Sequence, residues 1–580
     1  MARPSARRAV LVSLVASLSA CGGSGGGSTA DNPIDILPFL VTMTPTNGQT
    51  GVMPTEVVTV KFSEPMDPVT FTDSTFVLAY GATAVTGAIT TSADQRTVSF
   101  TPSGPLNFDT LHTVTLNQGI LSATGQPLTG LNSWIFTVHK PAWSQTEMSS
   151  DIGFYEPDIQ QVAPDVAIDE SENLVAVWVE NQGSQLGVIF REWSVALGWQ
   201  FPVQLDDGSG PALSPVVGID SSGGVMVVWA VENSLWYARR VSGSAWQPPQ
   251  ELATVGAPPT PRQLMVDAAG NALLLYTQEQ VGNNSFVVHF DATSGWETLE
   301  AIPDRYEEGL PEITMDRPSG FALVIWSEGV APIFLAPGYQ ALRARRFIPG
   351  TGWTSDETVG PDEPNRVFMG GSLASDSQGN LVVSWLRQRT EGTQNPALKY
   401  DMEIHLRRCS VSGWGSDEMG PDTSDHDVFY RVDCALEPNG SATVMWWGWL
   451  NPVGALRARR EVSPGNWGEQ VLMDYLPGSD NSGLGVTQPF VGPGGRVGVI
   501  GAISFMTDMA TGAGYGVIWV NESENGNWGQ ASVHRTAPGY VVTFKRACDS
   551  SGRAAVIWLE HTQSVPQGEG PLAVRISRYR

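Results

Sequence analysis

The chain has 580 residues, 41% of them hydrophobic and only 16% charged, with 63 glycines and 20 tryptophans. It is too long for one ordinary domain, and its Gly- and Trp-rich profile suits β-structure with tight turns rather than long helices. A formal net charge of −26 argues against a nucleic-acid partner, whose phosphates need a basic surface.

Arg3, Arg7 and Arg8 precede an apolar run, residues 9–20, that is too short to span a bilayer. The run ends in "LSAC", residues 18–21, followed by "GGSGGGS". This resembles a bacterial lipoprotein signal with its lipobox. The resemblance implies that residues 1–20 are a signal peptide and that Cys21 is lipidated. It also implies an exported protein held on a membrane through that lipid, at the outer membrane or cell surface. Residues 21–37 read as a flexible tether. Cys409, Cys434 and Cys548 remain, an odd number without metal-site spacing, and read as buried small apolar residues.

Residues 38–140 alternate short β-rich runs with turns. In "EVVTVKFS", Val58, Val60 and Phe62 share one face. Several such strands in about 100 residues suggest a β-sandwich. "PTNGQTGVMPTEVVTVKFSEPMDPVTF" and "GQPLTGLNSWIFTV" resemble a bacterial Ig-like domain of the S-layer SbsA type, which implies a spacer or presentation module. Glu64 and Asp67 in "FSEPMD" are expected in a Pro-rich turn rather than a metal site.

From residue 141 the chain repeats itself. An Asp-type turn followed by a continuous apolar run begins at Asp169, Asp220, Asp267, Asp316, Asp376, Glu437, Gly492 and Asp549. A run apolar at every position is a strand buried on both faces. A Trp stands 20 to 26 residues ahead of each turn: Trp143, Trp199, Trp246, Trp296, Trp353, Trp414, Trp467 and Trp528. A third, often Arg-rich element follows each apolar run. The unit is four strands, and the last unit lacks its Trp strand while Trp143 is a spare one in front. The expected fold is all-β: an Ig-like sandwich, then an eight-bladed β-propeller over 141–580, closed by a strand at 141–150. Seven blades would follow if the Gly492 copy were an insertion.

Antiparallel order puts the turns between strands one and two, and three and four, on one face. The two-to-three connections lie on the other and vary: Trp229 to Arg240 is 11 residues, Trp385 to Arg408 is 23. Variable loops on a rigid scaffold are where binding usually lives. Glu328 and Glu560 follow their strand-two aromatic there, Arg387 takes the corresponding place in unit five, and unit six carries Trp447 and Trp449 in "MWWGWL". Aromatic rings and carboxylates suit a sugar or a cationic peptide. A solvated acidic rim, with the Trp pair packed between units, is the plainer reading of the same residues.

"FDATSGW", residues 290–296, resembles a worn Asp-box of sialidase-type propellers, but most copies lack its Ser and Asp, so no catalytic residue carries over. The seven His form no H-x-x-x-H, and the G-x-S-x-G at residues 22–26 lies in the tether. No cofactor or metal is expected, and a monomer is. Two functional readings follow: a non-catalytic propeller that binds a glycan or protein, and a sialidase-like or other glycan-active hydrolase or lyase.

Overall fold

A computed structural model describes most of residues 37–579. Residues 1–36, 139–146, 155–160, 304–310, 330–339, 361–367, 389–401, 473–485 and 563–570, with several shorter turns, fall outside the description. Cys21 and Trp143 are therefore outside it. Apart from one 3-10 turn, every described element is a strand, and no described helix is long and apolar enough to cross a membrane.

Two sheets form the first unit. Val58, Val60 and Phe62 are buried while Lys61 between them is exposed, so period-two patterning sets the face. They share a core with Phe76, Phe100, Trp134 and Phe136. Asp67 caps the 3-10 turn Pro68–Thr70, its carboxylate accepting from the Val69 N–H. No described residues cluster with the makings of a metal site.

Among the described residues, eight further sheets follow, each built on four antiparallel strands. Their first strands are Asp165–Ile168, Ala212–Ile219, Pro259–Val266, Glu312–Asp316, Phe368–Ser375, Asp427–Leu436, Val486–Gly492 and Val541–Cys548; we number the sheets one to eight in that order. Each first strand lies against the first strand of the next sheet, and that of sheet eight lies against that of sheet one. The sheets thus follow one another in a closed, propeller-like ring.

The second strands explain the cohesion. Leu174, Ala176 and Trp178 pack toward sheet eight, while Val175 and Val177 pack toward sheet two. Alternate side chains of one strand feed two different seams, so no polar face exists and the run is apolar throughout. The same division repeats around the ring, giving one apolar seam per pair of neighbours.

The turn carboxylates are buried ligands of their own hairpins. Asp169 Oδ1 accepts from the N–H groups of Ser171 and Asn173, and Oδ2 from the Asn173 amide. Asp376 repeats this with Gln378 and Asn380. Gly223, Gly270 and Gly379 supply the positive φ of the Asp220, Asp267 and Asp376 turns, and Glu172 takes it in the Asp169 turn. Sheet four departs: its turn has one more residue, and Arg317 reaches across the ring axis to the Ile168 and Ile219 carbonyls, 2.7 and 2.6 Å away.

Arg and Trp fasten neighbouring sheets. Arg240 of sheet two pairs with Glu192 of sheet one. Glu357 of sheet four accepts from Arg346 and from the Trp414 indole of sheet five, at 2.8 and 2.5 Å. Arg408 of sheet five reaches Glu461 of sheet six at 2.6 Å. Most of the repeated Trp residues stand in two-residue strands against the third strand, as in Gly198–Trp199 and Gly352–Trp353. Trp246 departs from the expectation, since the outer strand of sheet two begins later, at Gln250.

Closure is direct. Glu147–Phe154 pairs antiparallel with Pro571–Tyr579 and completes sheet eight as its outer strand. Three further contacts join sheet eight to sheet one: Arg578 over Trp193, Arg553 to Glu172 at 2.9 Å, and Lys545 to Asp165 at 3.5 Å. The Gly492 copy forms the first hairpin of sheet seven.

Candidate functional site

The Trp-x-Glu pattern resolves into ion pairs with the facing strand, joined at Glu560 by an arginine of sheet seven. The residue opposite Trp326 is Arg343, and opposite Trp558 is Arg575. Glu328 Oε2 accepts from Arg343 Nε at 2.8 Å with its side chain 38% exposed. Glu560 is fully buried; it accepts from Arg535 at 2.6 Å, Arg575 at 3.1 Å and the Trp558 indole at 2.8 Å. A buried carboxylate held by two guanidiniums and an indole is a lock, not a solvated rim.

Sheet five inverts this arrangement. Arg387 takes the acid's place after Trp385, and the acids come from the strands beside it: Glu403 directly opposite Arg387, and Asp417 on the outer strand Gly413–Met419. Between them lies His405, 4% exposed and opposite Trp385, with its ring stacked on that indole at 5.6 Å. His405 Nδ1 is 2.8 Å from Asp417 Oδ1 and Nε2 is 3.0 Å from Glu403 Oε1. Arg387 Nη1 stands 4.0 Å from Asp417 Oδ2. Burial works against the imidazolium, but the hydrogen bonds and charges of the two carboxylates outweigh it and raise the His405 pKa.

This cluster lies at the loop end of sheet five, where the sequence singles out Arg387. Sequence reasoning missed His405, Glu403 and Asp417. A signal was present: His405 occupies the repeat column held by Arg343, Arg457 and Arg575 in sheets four, six and eight.

Trp447 and Trp449 lie in the second strand of sheet six, Ala442–Leu450, opposite Phe429 and Asp427 on one side and Leu456 and Gly454 on the other. Their positions alternate in step with Met445, which packs in the seam with sheet seven. Trp385, whose strand face Arg387 and His405 share, packs in the seam with sheet four. Arg387, Trp447 and Trp449 therefore sit at one end of neighbouring sheets, and Glu328 and Glu560 lie in other sheets.

The ring axis holds a cavity of about 470 Å³ lined by all eight first strands. Four residues before each turn residue stand Asp165, Val216, Gln263, Glu312, Ser372, Asp433, Gln488 and Lys545. Three of these bind the backbone of the next sheet: Asp165 accepts from Val217 N at 3.0 Å, Gln263 from Ile313 N at 3.0 Å, and Ser372 from Cys434 N at 3.4 Å. The wall thus carries mixed charge, part of it spent in stitching sheet to sheet.

Residues 35–138 match the bacterial Ig-like domain family. No curated protein matches the chain. Among solved structures, the chain resembles the BP39L lectin from Burkholderia pseudomallei at 15% identity and TM-score 0.39, over 65% of this chain and 99% of that one. It resembles an ulvan lyase of a polysaccharide lyase family at 11% identity and TM-score 0.40, over 74% and 95%. It resembles the α-L-arabinanase of Penicillium chrysogenum at 12% identity and TM-score 0.31, over 75% and 98%. All three overlays are loose, and none assigns this chain a ligand.

Proposed function

We propose that residues 147–579 form an eight-bladed β-propeller, each sheet a blade, that binds a glycan or protein without catalysing a reaction. The propeller is carried by an exported protein anchored through a lipid on Cys21, with the Ig-like unit as spacer. One observation carries the binding reading: the two ends of the ring are built differently. On the turn end, repeated carboxylates are consumed in their own hairpins. The loop end has connections of unequal length and, in sheet five, a charge cluster unlike its repeats. Binding belongs where the scaffold varies.

Trp447 and Trp449, at the same end of the adjoining sheet six, supply an aromatic platform, since rings stack on sugar faces and anchor protein partners. The test is a glycan array and a pull-down from the native cell envelope, using the soluble Cys21→Ser chain. Replacing both tryptophans by Ala weakens the captured interaction at least about tenfold. A folded double mutant that binds as tightly as wild type moves the site elsewhere. Glycan cleavage at the ring axis is the second reading, favoured by Asp165, Glu312 and Asp433 at one level of the cavity. New reducing ends or unsaturated products from array hits would select it.

A further inference from the structure

At the position opposite the strand-two tryptophan, sheets four, six and eight carry Arg343, Arg457 and Arg575, while sheet five carries His405. Arginine keeps its charge at every physiological pH; histidine does not. Both ring nitrogens of His405 face carboxylate oxygens, which only accept, so both contacts need an N–H. The contacts are complete only in the imidazolium.

We propose that His405 is a proton-operated staple on the outer strand of sheet five. Protonated, it joins Glu403 on its own strand to Asp417 on Gly413–Met419. Neutral, it keeps a single N–H and turns a lone pair toward one carboxylate. Asp417 is the partner released, because its side chain is 36% exposed and can be rehydrated, whereas Glu403 is 12% exposed and cannot.

The surrounding charges do not substitute. Arg387 lies 4.0 Å from the other Asp417 oxygen, beyond a hydrogen bond. Arg407, on the same strand face, is spent on the Thr358 and Val359 carbonyls and on Gly415 O. Sheet four contributes apolar Leu342 and Val359 to the cluster around Trp385. The effect reaches the next sheet, for Met419, two residues past Asp417, accepts from the Trp467 indole of sheet six at 3.3 Å.

The sign follows from linkage. A His whose folded pKa is raised gives its full stabilisation below the unfolded value, and loses it as pH rises through the folded value. The outer strand is therefore held fully below the ordinary histidine pKa and loosens as pH rises above it, through the raised folded value. This inference stands apart from what the loop end binds.

The test is hydrogen exchange on the full chain between pH 6 and 9, corrected for intrinsic rates. Protection of residues 413–419 falls roughly tenfold across the range, while the outer strand of sheet two, Gln250–Thr254, does not change. His405→Arg, the residue of the sister sheets, removes the pH dependence. Equal protection at both pH values, or the same fall in His405→Arg, overturns the proposal. Should that variant not fold, imidazole NMR of the wild type decides: a His405 titrating at or below the ordinary histidine range also overturns it.

Discussion

Arg578 lies over the indole of Trp193, its guanidinium carbon 3.7 Å from the ring centroid. One residue comes from the end of the last repeat and the other from the first, so a single stacked pair spans more than 380 residues of sequence. Trp193 is 7% exposed, and a desolvated cation–π pair is worth about 2 kcal/mol. Arg578→Ala and Trp193→Ala are each expected to lower the urea midpoint. Their double-mutant cycle should give a coupling of about 1–2 kcal/mol. Additive effects would mean that the ring does not close through this pair. Deleting 147–154, which strips a whole strand from sheet eight, is expected to cost far more than either.

Glu560 and Glu328 look alike in sequence and should behave differently. Glu560→Ala leaves Arg535 and Arg575 facing each other without their carboxylate, and breaking a buried pair from one side costs about 3–5 kcal/mol. Glu328 is 38% exposed, and its removal should cost about 0–1 kcal/mol. Chemical denaturation of both variants measures the contrast.

The three described thiols are free and buried or partly buried. Burial pushes the Cys409 and Cys434 pKa values up to about 12. Only the thiolate reacts, so alkylation of the native protein at pH 8 should be slow at both. Their labelling rate should rise about tenfold per pH unit and jump on unfolding. Rapid native labelling would contradict the packing of sheets five and six.

The anchor is tested by fractionation. Cys21→Ser is expected to move the protein from membrane to soluble exported fractions, and the mass of the wild-type N-terminus should carry acyl chains. An unchanged distribution without lipid mass rules the anchor out.

Much of the ring is legible in the sequence because each seam draws on alternate residues of the same strand, leaving an apolar run at a fixed distance from a turn. An imbalance, one outer strand too many at the front and one too few at the end, points to a closing strand at 141–150; the strand that pairs there is Glu147–Phe154, and Trp143 lies outside the described residues. The charge cluster of sheet five was not legible. Glu403 and Asp417 look like ordinary surface acids until register puts Arg387 against Glu403 and Arg407 against Asp417. The fate of Glu560 was hidden for the same reason, since Arg575 comes from the neighbouring strand and Arg535 from sheet seven.

The strand that completes sheet eight is also the first part of the ring reached from the Ig-like unit, across residues 139–146. Any pull transmitted through that unit arrives at Glu147–Phe154 before it reaches any other sheet. The clasp of the ring is thus its point of mechanical load. Arg578, Arg553 and Lys545 form a second line behind it, and the crossbar of Arg317 ties sheet four to sheets one and two from the far side of the axis. Under tension the closing strand would yield first, and these contacts would decide whether the ring stays round until it re-pairs.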